Sequence, residues 1–132
     1  MKNLLYCLFA LFLTVGCNED KKQVEALQKE TETIHDEAMK DMAEMNRVAR
    51  DIKQFMIAAS MTPEQSAVFM TTLTNIGEAE NDMMAWMANY KEPSDKPAAE
   101  ALKYLTEQKA LIAKNHADIK AATEAGKKLL PQ

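Results

Sequence analysis

Ser60-Met61-Thr62-Pro63-Glu64-Gln65 lies between two long amphipathic runs and decides how they are arranged. Thr62 supplies a hydroxyl cap, Pro63 fills a first helical position where no N–H is needed, and Gln65 closes a capping box, so a new helix starts here. Upstream, Val24, Leu27, Ile34, Ala38, Met42, Met45, Ile52, Met56 and Ala59 recur at spacings of three, four or seven residues. That periodicity predicts one amphipathic helix over roughly 20–60. Downstream, Phe69, Leu73, Ile76, Met83, Met87 and Tyr90 form a heptad-like stripe, interrupted by Glu80, on a second helix ending near Tyr90. Lys91 to Lys96, with Pro93, Ser94 and Asp95, reads as a turn. Pro97 opens a third helix carrying Leu102, Leu105, Ile112, Ile119 and Leu129 and ending near Lys128.

Each of these helices has one apolar face and must bury it against the others. Short connections make sequential neighbours antiparallel, so the expected fold is all-α, an antiparallel three-helix bundle with a long first helix. With 6% aromatic residues, its core is built from Leu, Ile, Ala and Met. The N-terminal turns of the first helix should extend past the bundle as a stalk.

The N-terminus says where the chain lives. Lys2 is a positive n-region, and Leu4 to Val15 form an apolar run too short to span a bilayer but suited to a secretory signal. Leu13-Thr14-Val15-Gly16-Cys17 follows, and no A-x-A cleavage site does. Gly16-Cys17 resembles the lipobox of bacterial lipoproteins, although Thr14 stands where that pattern usually has Leu. The resemblance implies lipidation of Cys17, with 1–16 as signal peptide, 17–22 as lipidated tether and 23–130 as the helical bundle domain. Attachment to the membrane is then through lipid, and Cys7 is lost with the signal, so the mature monomer has no disulfide. Asn18-Glu19-Asp20-Lys21-Lys22 resembles signals that send some Bacteroidota lipoproteins to the outer leaflet of the outer membrane. The same residues also suit a solvated helix start, so the leaflet stays open.

Losing Lys2 with the signal takes the formal charge from −4 to −5, which disfavours phosphate backbones and hence nucleic acid as a partner. No phosphate-binding glycine loop, cysteine nucleophile or Ser/His/Asp signature stands out, and an enzyme is not expected. Glu32 and His35 form a single Glu-x-x-His, whereas di-iron bundles need two.

The candidate site is a cluster rich in methionine. His35, Met39 and Met42 lie at i, i+4 and i+7 on the first helix, and Met83, Met84 and Met87 surround Trp86 on the second. If the hairpin turns near Met61, facing residue numbers sum to about 123, because antiparallel helices share one rise per residue. Met39 then faces Met84 and His35 lies near Met87. Thioethers with an imidazole suit Cu(I), and the Trp86 ring adds a cation–π contact. The alternative is that these methionines only fill the core. A turn near Ser94 sets His116 level with Met70 and Thr71, several turns from His35.

Ile34-His35-Asp36-Glu37-Ala38-Met39, then Met83-Met84-Ala85-Trp86-Met87, then a Lys/Glu-rich last helix, resembles small Bacteroidota envelope lipoproteins, some labelled "viral A-type inclusion protein". The family's I-H-D-E-x-M and M-M-x-W-M segments both occur here. The resemblance implies a helical lipoprotein of the cell envelope and brings no established activity. The expected role is a lipid-anchored binding or structural module, with an envelope protein as possible partner. A Cu(I)-binding protein using His35, Met39, Met84, Met87 and Trp86 is the alternative.

Overall fold

The computed structural model describes residues 13–131, with side chains from Glu19 onward. The expected signal peptide over 1–16 therefore lies mostly outside the described residues, and so does the Cys17 side chain that is expected to carry lipid. Among the described residues there are three helices and no strand: α1 (Leu13–Ala58), α2 (Pro63–Asn89) and α3 (Ala98–Leu129). This is the all-α three-helix bundle expected from the stripes.

The α1–α2 hairpin forms as its sequence requires. Thr62, extended at φ −71° and ψ 159°, accepts from the Gln65 N–H at 3.2 Å, and its own N–H donates to Gln65 Oε1 at 3.0 Å. The capping box thus satisfies two donors at the start of α2, where no intrahelical acceptor exists. Facing pairs down the hairpin include Phe55 with Phe69, Asn46 with Glu80, and His35 with Trp86. Their numbers sum to between 121 and 126, close to the expected register.

The largest helix contact is between α1 and α3, which are not sequential neighbours. They run parallel, as three up-down-up helices must, and are tied by Glu30–Lys109, Asp41–His116 at 2.7 Å and Glu44–Lys127 at 2.7 Å. Small residues let them approach: Thr31, Ala38 and Ala49 are buried on α1, and Ala101, Ala122 and Gly126 on α3. At Gly126 the approach is closest, since a Cβ there would lie 2.6 Å from Val48 Cγ1 and 3.2 Å from Ile52 Cδ1. The core centres on Met45, Ile52, Met83, Leu105, Ile112 and Ile119, each fully buried, and such burial stabilises by about 1.5–3 kcal/mol per side chain.

The seam of α2 differs from the stripe read by hydrophobicity. Phe69, Thr72, Ile76, Ala79, Met83 and Trp86 are buried, whereas Leu73, Met87 and Tyr90 are half-buried. Thr72 escaped notice because it is polar and Ala79 because it is small. The cost of burying Thr31, Thr72 and Thr123 is reduced because each hydroxyl donates to the carbonyl four residues earlier, at 2.7–3.1 Å. Asn115, also buried, donates to the Asp82 carbonyl at 3.2 Å and pins α3 to α2.

That bond exposes a register error. A tight turn at Ser94 would set Asn115 near Leu73, but it meets Asp82, a displacement of about nine residues or about 13 Å. The connection does not fold back at once. Tyr90 is extended (φ −65°, ψ 132°), Glu92 accepts from Gln28 Nε2 at 2.8 Å, and Pro93 is buried. The chain runs on along α1 and starts α3 beside Val24, where Ala98 and Ala101 line a shared groove. His116 is therefore level with Asp41, six residues from His35, and not with Met70 and Thr71. The same run covers the part of α1 between Val24 and Ile34, so the free stalk is shorter than α2 alone would leave it.

Candidate functional site

Where the C-terminal end of α2 meets α1, four rings form a ladder. His35 stacks on Trp86 (centroids 5.7 Å, 30°), Trp86 on Tyr90 (4.8 Å, 23°) and Tyr90 on Tyr104 of α3 (6.2 Å, 23°). The helical period sets this up. Trp86 and Tyr90 are one turn apart on α2, and the hairpin register delivers His35 to the same level. Tyr104 is held by the connection, its hydroxyl accepting from the Lys91 N–H at 2.9 Å. Such pairs contribute about 0.5–1.5 kcal/mol each beyond area burial.

Beside the ladder is a hollow of about 180 Å³ bounded by Glu32, His35, Trp86, Met87 and Tyr90. Two polar atoms of residues that border it, Trp86 Nε1 and Tyr90 Oη, are buried without a hydrogen-bond partner among the described residues. Leaving a buried donor unpaired costs about 1–3 kcal/mol. The Tyr90 phenol has its pKa raised, first by burial and then by the charge of Glu32, with smaller contributions from Tyr104 and Glu92. His35 Nδ1 lies 3.2 Å from Asp36 Oδ1, and the other ring nitrogen has no hydrogen-bond partner among the described residues.

Of the five residues expected to gather, His35, Trp86 and Met87 do so. Met39 packs half-buried against the core, and Met84 is 52% exposed, so neither borders the hollow. The hairpin register holds and the stripe already turns Met83 inward; the pairing of Met84 with Met39 rests on level alone, and the rotation of α2 breaks it. Met83 and Trp86 take the inward positions, and at 100° per residue Met84 turns outward. Among the described residues no three His, Cys, Asp or Glu side chains converge as a metal-ion site. A soft site is thereby reduced to one imidazole, one thioether and the indole.

Sequence reading missed Tyr90 and Tyr104 as part of the site. The stripe places Tyr90 in the seam, and its i, i+4 spacing from Trp86 is the signal that the sequence offers. Tyr104 carried none, because only the extended connection brings it alongside. Compared with known proteins, the chain matches no protein family, no curated protein and no solved structure.

Proposed function

We propose that this protein is a lipid-anchored helical module of the cell envelope that binds a partner at the hollow beside Trp86. The observation that carries the binding role is a small apolar hollow next to two buried, unpartnered polar atoms. A bundle serving only as a spacer has no use for that arrangement, whose cost a bound partner offsets. The anchor rests on Gly16-Cys17 after the apolar run, and the envelope location on the resemblance to small Bacteroidota lipoproteins. No helix of the described residues is long and apolar enough to cross a membrane. Two or more acyl chains on Cys17 would hold the module stably, where one would hold it only marginally.

Palmitate labelling tests the anchor. Wild type should incorporate label and sediment with membranes, whereas Cys17→Ser should lose both. Unlabelled wild type, together with a mutant that still sediments, refutes the anchor.

A second reading, Cu(I) binding, is favoured by one observation: the His35 ring stacks on Trp86 where Met87 also borders the hollow. It is the weaker reading, because Met39 and Met84 lie outside.

A further inference from the structure

The hollow makes three demands of an occupant. Its volume, about 180 Å³, admits one side chain or ring and no folded element. Trp86, only 9% exposed, has an unpaired Nε1–H, and Tyr90 has an unpaired hydroxyl. One carboxylate, Glu32, borders the hollow, and the exposed Glu92 lies beside it through the neutral amide of Gln28, which donates to the two at 3.2 and 2.8 Å. Neither carboxylate joins an ion pair among the described residues.

These demands exclude simple occupants. An organic ammonium would suit the carboxylates, but it needs open aromatic faces, and Trp86 is already stacked on both His35 and Tyr90. Its Nε1–H is enclosed as well, and once uncovered it could not bind a cation, which cannot accept from it. A carboxylate could accept, but Glu32 and Glu92 would repel it. An uncharged amide carbonyl can accept from either donor without that repulsion, and a nearby cation answers the carboxylates. Extended polypeptide carries both, with an apolar side chain between them at a spacing of about 3.3 Å per residue.

Resting on the binding-module reading, we propose that the hollow captures one apolar side chain of an extended peptide from a partner protein. A backbone carbonyl of that peptide accepts from Trp86 Nε1–H or the Tyr90 hydroxyl, and a neighbouring lysine or arginine meets Glu32 and Glu92. Met87, the most adaptable of the bordering side chains, moves aside to uncover these buried donors.

Trp86 is the only tryptophan in the chain, so its emission reports directly. The probes are Ac-Leu-Lys-Leu-Lys-NH2 and its acidic counterpart Ac-Leu-Glu-Leu-Glu-NH2, titrated into the full-length protein in detergent micelles. The basic peptide should give a saturable change and the acidic one none. Glu32→Gln should weaken binding by about three- to fivefold, the scale of one exposed ion pair. Tyr90→Phe should weaken it by about two- to tenfold, the scale of one neutral hydrogen bond. Met84→Leu, outside the hollow, should bind as wild type does, and circular dichroism on each variant confirms the fold. Equal binding of the two peptides, or an unchanged affinity in folded Glu32→Gln, overturns the proposal. So does a response to Cu(I) alone with neither peptide binding, which moves the hollow to the metal reading. If neither peptide binds while Cys17-dependent attachment persists, the peptide is rejected and the anchored module stands. Peptide binding without attachment rejects only the anchor.

Discussion

Gly77 in α2 and Gly126 in α3 offer a matched experiment on how closely α1 and α3 pack. Both are helical with negative φ, so replacing either by alanine should return the intrinsic helix preference of about 0.8–1.0 kcal/mol. At Gly77 a Cβ meets nothing within 4 Å. Gly77→Ala should therefore keep the whole gain, raising the melting temperature by about 4 °C. At Gly126 the new Cβ lands 2.6 Å from Val48 Cγ1, roughly 1 Å inside a comfortable carbon contact. Val48 is 4% exposed and β-branched, so it has neither room nor rotamers to yield. Overpacking of this kind costs about 1–3 kcal/mol, which cancels or exceeds the gain. Gly126→Ala should come out between neutral and about 2 kcal/mol destabilised, leaving the two variants about 1–3 kcal/mol apart. Urea denaturation followed by circular dichroism measures both. Removing the obstacle supplies the control, because in a Val48→Ala background Gly126→Ala should turn more favourable, revealing coupling between contacting residues. If Gly126→Ala stabilises as much as Gly77→Ala, or Val48→Ala leaves its effect unchanged, the close α1–α3 contact is wrong.

Ile76 is 3% exposed at the centre of the α2 seam, so Ile76→Ala should lower stability by about 2–5 kcal/mol in the same assay, and an unchanged midpoint would refute its inward placement. The raised pKa of Tyr90 means that the folded chain keeps this phenol protonated where the unfolded chain has begun to release its proton. Folding stability should therefore fall as pH rises above about 10, and Tyr90→Phe should remove that part of the decline. An unshifted phenolate absorbance titration of Tyr90 would contradict the burial that motivates this. On the copper reading, affinity in a Cu(I)-chelator competition should drop in His35→Ala and Met87→Leu and persist in Met84→Leu and Met39→Leu; equal affinity in all four variants ends it.

The legible parts of this protein were those written in local chemistry. The Thr62-Pro63-Gln65 cap could be read from six residues because its hydrogen bonds close within one turn, and the hairpin register followed because both helices rise equally from that cap. The cluster around Trp86 was only partly legible. Its level along the bundle came from the register, and the stripe named Met83 as the inward methionine, but level alone put Met84 opposite Met39. A level along the axis carries no angle, and Met84, one residue on from Met83, is turned 100° away from it. Tyr104 left no trace, since its place depends on how far residues 90–97 run before turning.

Helical content, three elements, their apolar stripes and the start of α2 are all consequences of short-range preferences and of the helical period, and the chain order carries them without further information. What needed the tertiary structure is the dominance of the parallel α1–α3 contact, the displacement of α3 along α1 and the ring ladder that results. These depend on the volumes of distant residues such as Val48 and Gly126 and on an extended connection that bonds to α1 through Gln28. No local window contains both members of such a contact, and packing at native density allows only one of the registers the stripes would otherwise permit.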